Sequence, residues 1–229
     1  PIPSRGLGDV YKRQEKDVCP SRKDTMASLL ALDIEGEEIS ALIDYLVDQN
    51  VSITSTLTIY ETFAKGRPIA YPESIALMNE DVKHQYLDRW SQIQADSNDD
   101  WAELLRREMI WEKKFVEAGG HLVAGTDPTG YGGVIAGWSN IRALELLVEA
   151  GFELSHAIQI ASYNGAQFLE QADEIGTIEQ GKRANLAIFE GDISMDIGEV
   201  KRIKWTVKNG VVYDSRKIFK GMQGKVGLH

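Results

Sequence analysis

Residues 115–127 read FVEAGGHLVAGTD, and Pro128 follows. Gly119-Gly120 closes one segment and His121–Ala124 (HLVA) is a short apolar run. A short apolar run bounded by glycines reads as a buried strand. Proline steers the residue before it away from right-handed helical torsions, so the strand stops at Asp127. A carboxylate therefore stands at the C-terminal end of a buried strand. It opens into a glycine-rich loop, Thr129–Gly137.

Upstream, Trp101–Val116 reads as a helix, with Trp101, Leu104, Leu105, Trp111 and Phe115 on one side. Before it lies a polar stretch from Glu61 to Asn98, helical in part after Pro72. Val51–Tyr60 (VSITSTLTIY) reads as a strand, because it is rich in β-branched residues and Val51, Ile53, Leu57 and Ile59 share a face. Glu37–Gln49 reads as a helix with Ile39, Leu42, Ile43, Leu46 and Val47 as its apolar stripe and Asn50 as its stop.

Downstream, Ser139 or Asn140 is placed to cap a helix whose stripe is Ile141, Leu144, Leu147 and Val148, and Gly151 ends it. Ser155 is placed to cap a further helix to about Tyr163, with Asn164-Gly165 as the break. The character changes near Asp173. Ile175–Ile178, Ala184–Phe189, Ile203–Val207 and Val211–Tyr213 are short β-like runs, and Asn209-Gly210 marks a tight hairpin. Alternating helices and strands predict parallel βα units, followed by a small all-β piece.

The chain has 229 residues, 25 Lys+Arg against 35 Asp+Glu, and a net charge of -10. Its 43% hydrophobic and 26% charged residues are ordinary for a globular protein and exclude a disordered or collagen-like chain. The acidic balance argues against binding to nucleic acid or to an anionic membrane surface. The single cysteine, Cys19, excludes an internal disulfide and a cysteine-based zinc cluster. Gly119–Ile141 lacks Lys, Arg and Glu, but Asp127, Pro128 and its glycines exclude a membrane span. Pro1–Gln14 (PIPSRGLGDVYKRQ) has no periodicity and does not lead naturally into the downstream segments; it is expected to be a foreign leader or an assembly scar.

Asp127 is the leading candidate for chemistry. In barrels of alternating strands and helices the reactive groups sit at such strand ends. A carboxylate there binds a divalent cation or takes a proton from metal-bound water. An Asp-Pro turn residue that bonds its own backbone fits the same spacing. Gly130, Gly132 and Gly133 allow a substrate close to the backbone, or simply allow the loop its torsions. Ile135 stands where a dinucleotide fingerprint needs its last glycine. Gly176–Lys182 (GTIEQGK) begins like a phosphate loop, but Arg183 replaces the Ser or Thr that holds magnesium, so it reads as a hairpin turn. His84, His121, His156 and His229 form no H-x-H or H-E-x-x-H, and there is no G-x-S-x-G.

With these blocks in view, the chain resembles the metal-dependent amidohydrolase superfamily in its imidazolonepropionase-like and prolidase-like branch. FVEAGGHLVAGTD looks like that family's last barrel strand. LELLVEAGFELSHAIQIASYNGAQFL, IGTIEQGKRANLAIFEGD and VKNGVVYD come after it in the family's order and spacing. The resemblance runs from about Leu29 to the C-terminus. It implies an α/β fold: a (β/α)8 TIM-type barrel beside a small β-sandwich built from both chain ends. It implies one or two metal ions, usually zinc, activating a water that attacks a C–N bond of a small-molecule or peptide-like substrate. By the same resemblance Asp127 ligates metal and carries the proton to the leaving nitrogen. Barrel geometry adds Thr58, Tyr60, Thr129 and Tyr131 as residues lining the substrate side.

The departures shape the expectation. The family's H-x-H on the first strand, its lysine on the fourth and its histidines on the fifth and sixth are not matched. Asn185 stands where the family often has Asp. Val51–Tyr60 aligns with strand 7 and His121–Ala124 with strand 8. The expected organisation is a leader at 1–22, a partial barrel at 23–172 and the C-terminal share of the sandwich at 173–229. Such a piece, lacking most ligands, is expected to be inactive alone, to hold no stable metal and to be prone to aggregate at its open strand edges. An oligomer is compatible with this reading. The compartment is open. A non-catalytic α/β interaction module and a nucleotide-binding domain using GTIEQGK are the competing readings.

Overall fold

The computed structural model describes residues 21–128 and 131–227. Pro1–Gln14, Cys19, Thr129, Gly130 and His229 lie outside the described residues. The chain divides into two units, Pro1–Asp33 and Ile34–His229. The described part of the first carries α1 (Arg22–Ala31). Ser21 caps it by accepting from the Asp24 backbone N–H at 3.1 Å.

The second unit opens with α2 (Glu37–Asp48), which buries Ile39 and Ile43. Leu42 departs from the predicted stripe and is 46% exposed, because it sits about 80° around the helix from the centre of the face that Ile39 and Ile43 share. Asn50 ends the helix with a φ of 52°, as its tolerance of left-handed torsions predicts.

The predicted strand Val51–Tyr60 is corrected. Only β1 (Ser52–Ser55) is extended, and Leu57–Phe63 forms helix α3. The β-branched residues hid a helical spacing: Leu57 and Ala64 are buried seven residues apart, against Leu105, Met109 and Leu146. That packing overrides the local propensity. The polar stretch holds α4 (Pro72–Ile75) and α5 (Glu80–Ala95), the latter capped by Asn79, which accepts from Val82 N–H at 2.9 Å. α6 (Asp100–Glu117) then buries Leu104, Leu105, Met109, Glu112 and Phe115 and returns the chain to β2 (His121–Ala124).

β1 and β2 pair in parallel, with Ser52 opposite His121 and Ser55 opposite Ala124. This is the parallel βα unit that the sequence pattern predicts. α7 (Trp138–Glu149) starts one residue before its predicted cap. Gly137, at a φ of 80°, turns the chain, and Ser139 is buried instead of capping. α8 (Leu154–Ala161) breaks at Ser162 rather than at Asn164-Gly165, which lie inside α9 (Tyr163–Phe168). The Asn164 amide is used elsewhere: it donates to the Leu122 carbonyl at 2.8 Å and ties α9 to β2.

Beyond Asp173 the chain forms a three-stranded antiparallel sheet in the order β3 (Leu186–Phe189), β4 (Ile203–Lys208), β5 (Val211–Asp214). Asn209 and Gly210 have φ of 50° and 79°, which makes the predicted tight turn. Ile175–Ile178 is not a strand; Ile178 is 88% exposed and has nothing to pack against. A 3₁₀ turn (Ile197–Lys201) precedes β4, and α10 (Ser215–Met222) follows β5. The architecture is therefore mixed α/β, with two small sheets among the described residues. The larger apolar core gathers Ile43, Phe115, Leu122, Leu147 and Ile160 around the helix-facing side of the parallel pair.

Candidate active site at the end of the parallel strands

The two strands end together. The Gly125 N–H donates to the Ser55 carbonyl at 2.8 Å, one rung beyond the Ser55–Ala124 pair. A side chain at 125 would put a Cβ 2.5 Å from Thr54 Cγ2, so glycine is needed for this close approach. Two residues later, Asp127 is exposed and has a φ of 45°. Positive φ is uncommon for a residue with a Cβ, and such strain concentrates at functional sites.

Thr58 is 3% exposed, and its hydroxyl donates to the Thr126 carbonyl at 2.7 Å. It holds the loop that carries Asp127, with its donor committed to backbone. Tyr60 stands in the field of Asp127. Its phenol is pushed up to about 12, first by burial and then by the negative charges of Glu108, Glu112 and Asp127. Tyr131 donates to the Thr62 carbonyl at 2.9 Å, and its ring lies 5.7 Å from Phe63 and 6.3 Å from Tyr86. Burial pushes its phenol up to about 12 as well. Thr58 and Tyr60 thus gather around the Asp127 loop, whereas Tyr131 is anchored on α3 beyond it. Thr129 lies outside the described residues.

Sequence reading missed Glu112 and Ser55. Both are 4% exposed, and the Ser55 hydroxyl donates to the Glu112 carboxylate at 2.9 Å. Burial pushes the Glu112 carboxyl up to about 8, against the opposing Ser55 hydrogen bond. Burial also raises Glu108. The signal was present: Glu112 falls on the apolar stripe of α6, in line with Leu105 and Met109. A carboxyl at a core position needs a partner, and Ser55 supplies it.

Among the described residues no group of three or more His, Cys, Asp and Glu is arranged to hold a metal ion. His121 lies at the opposite end of the strands, with Nδ1 2.8 Å from Ser52 Oγ. His156 packs edge-on against Phe152 at 5.6 Å. In GTIEQGK, Lys182 bends back onto its own loop, donating to the Ala172 carbonyl at 2.7 Å and to the Thr177 hydroxyl. Asn185 accepts from the Asn209 N–H at 2.8 Å and braces the hairpin. No described helix is long and apolar enough to cross a membrane.

The chain is a mixed α/β protein whose parallel strand pair ends just before Asp127, a residue at positive φ. The profile of the amidohydrolase family matches residues 40–213, and the chain belongs to that family. No curated protein matches the chain in sequence. Among solved structures, a Xaa-Pro dipeptidase with methionine bound in its active site superimposes with a TM-score of 0.54 at 21% identity. It covers 81% of this chain and 38% of its own. The bottromycin amidohydrolase gives a TM-score of 0.56 at 14% identity, covering 75% of this chain and 38% of that one. The A. niger ochratoxinase gives 0.51 at 18% identity, covering 78% and 35%. These likenesses concern the fold. The chain spans little more than a third of the length of the structures it matches.

Proposed function

We propose that the chain is the 23–172 barrel segment and 173–229 sandwich segment of an enzyme that hydrolyses a C–N bond in a small-molecule or peptide-like substrate. β1 and β2 take the places of barrel strands 7 and 8. Asp127 is the general base that accepts the proton of the attacking water and returns it to the leaving nitrogen. Asp127 is exposed at the strand end, where a carboxylate is open to a water and a substrate. Thr58 keeps the Asp127 loop in register, and Tyr60 borders the substrate side. The observation that carries this reading is the position of Asp127 two residues past the last rung of the parallel pair.

The family is generally metal-dependent, and zinc is the ion we propose for the whole enzyme. The described residues do not by themselves fit a metal: Asp127 has no second or third donor grouped with it. In this proposal further metal-ligating residues come from elsewhere in the enzyme, and this chain alone is inactive. The test uses the product of the natural gene on a panel of Xaa-Pro dipeptides and N-acyl amino acids. Turnover that a chelator abolishes and zinc restores supports the proposal. Stoichiometric zinc and turnover in the present chain would overturn its second part, and a chelator-insensitive reaction would overturn its first.

A further inference from the structure

A cavity of about 110 Å³ lies between α3, the 64–71 segment, α5 and the start of α7. Thr58 and Trp138, in the first turns of α3 and α7, both line it. α3 follows the end of β1 and α7 follows the loop that leaves β2, so the cavity stands at the strand ends, on the side of Asp127. Thr58 ties the two together. Its hydroxyl donates to the Thr126 carbonyl at 2.7 Å, and that carbonyl belongs to the peptide group entering Asp127. Standard peptide dimensions then put the Asp127 Cα within about 6 Å of the Thr58 hydroxyl. Farther along the same loop, Tyr131 and Gly133 build another wall of the cavity. Glu61, Arg67, Arg142 and Glu145 also line it, where they pair with one another.

The rest of the wall is largely aromatic. Tyr86 and Tyr131 stack at 6.3 Å, Tyr71 and Trp138 meet at 5.4 Å, and Trp90 lies beside them. The three phenol groups are tied to the chain. Tyr131 donates to the Thr62 carbonyl at 2.9 Å, Tyr71 donates to Glu145, and Tyr86 accepts from the Ala70 N–H at 2.9 Å. What these tyrosines offer a ligand is therefore ring surface. Phe63, 5.7 Å from Tyr131, and Phe219, 5.2 Å from Trp138, brace the rings from outside the cavity, so the walls are set before a ligand arrives. We propose that this cavity is the side-chain pocket of the Asp127 site and selects a substrate with one six-membered aromatic ring about three bonds from the scissile C–N group. This assignment rests on the hydrolase reading of Asp127. Three bonds of about 1.5 Å each carry a ring from the Asp127 loop to the Thr58 end of the cavity. Offset and edge contacts with the walls favour a flat ring over an aliphatic one of the same size. An apolar cavity of about 150 Å³ takes up benzene, so this smaller one holds a single ring and excludes a fused pair.

The test measures kcat/KM of the natural gene product on Xaa-Pro dipeptides and N-acetyl amino acids whose variable residue is phenylalanine, cyclohexylalanine, 2-naphthylalanine or alanine. In the class that is turned over, phenylalanine should exceed cyclohexylalanine about threefold to tenfold, and alanine and 2-naphthylalanine at least about tenfold. Ala70→Leu fills the cavity beside Tyr86 and should lower kcat/KM for phenylalanine at least about tenfold more than for alanine. Equal losses would overturn the pocket; if that variant does not fold, the wild-type series decides. Turnover without a preference for the phenyl ring overturns the pocket and leaves the hydrolase reading standing. Absence of turnover on every member overturns the hydrolase reading, and the ring site is then decided by titrating 3-phenylpropanamide and 3-cyclohexylpropanamide into the present chain. A saturable shift of the tryptophan indole N–H NMR signals, reached at lower concentration with the phenyl compound, supports the site. Equal binding of the two, or no saturable shift, overturns it.

Discussion

Replacing Glu112 with Gln isolates the buried carboxyl that braces the site. Burial raises its pKa from 4.5 to about 8 in the folded chain. Between those values the folded state holds a proton that the unfolded state has released, so stability must fall as pH rises through the window. The slope approaches about 1.4 kcal/mol per pH unit, and from pH 5 to pH 8 the loss is on the order of 4 kcal/mol. Above pH 8 the penalty is complete and the slope from this group ends. Glu112→Gln keeps the shape and a partner for Ser55 but has nothing to ionise. The variant should match the wild type within about 1 kcal/mol at pH 5 and exceed it by about 3 kcal/mol at pH 8. Glu108, also raised by burial, leaves a smaller slope of the same sign in the variant. Urea denaturation followed by circular dichroism at pH 5, 6, 7 and 8 measures the difference directly. A wild-type-minus-variant difference that stays constant across this range would rule out a buried Glu112 that titrates on unfolding.

Other perturbations have defined outcomes. Thr58→Val removes the donor to the Thr126 carbonyl and should cost about 1 to 2 kcal/mol in urea denaturation, with the Asp127 loop more open to proteolysis. Arg142→Met leaves Glu61 and Glu145 undercompensated in a half-buried cluster; a loss of about 3 kcal/mol in urea denaturation is expected at pH 7. Gly120→Ala drives a Cβ to 2.5 Å from the fully buried Phe115 ring, and thermal melts should show a loss of about 2 to 3 kcal/mol.

The sequence was most legible where one local rule acted alone. β2 carries its glycine and proline stops on both sides, the α2 stop needs only Asn50, and the second sheet's turn needs only Asn209-Gly210. It misled where packing chose between periods. Val51–Tyr60 has strand composition throughout, yet burial of Leu57 against Leu105 and Leu146 makes its second half a helix. Ile175–Ile178 has β-rich residues but no neighbour on which to lay a strand, and Ser162 breaks the α8–α9 segment where no glycine or proline announces it. Asp127 could be found from strand-end logic. Glu112 and Ser55 could not be paired from sequence, because 57 positions separate them and only the return of α6 against β1 brings them together.

Asp127, at the end of β2, is proposed as the proton-transferring carboxylate of an amidohydrolase, and the rest of the functional reading depends on that role. The direct check is kcat for the natural gene product and its Asp127→Asn variant on the same amide substrate, with the fold of both verified by circular dichroism. A proton-transferring Asp127 requires a loss of about 10² to 10⁴ in kcat in the folded variant. A folded Asp127→Asn enzyme that keeps its kcat within a factor of about three would contradict that role.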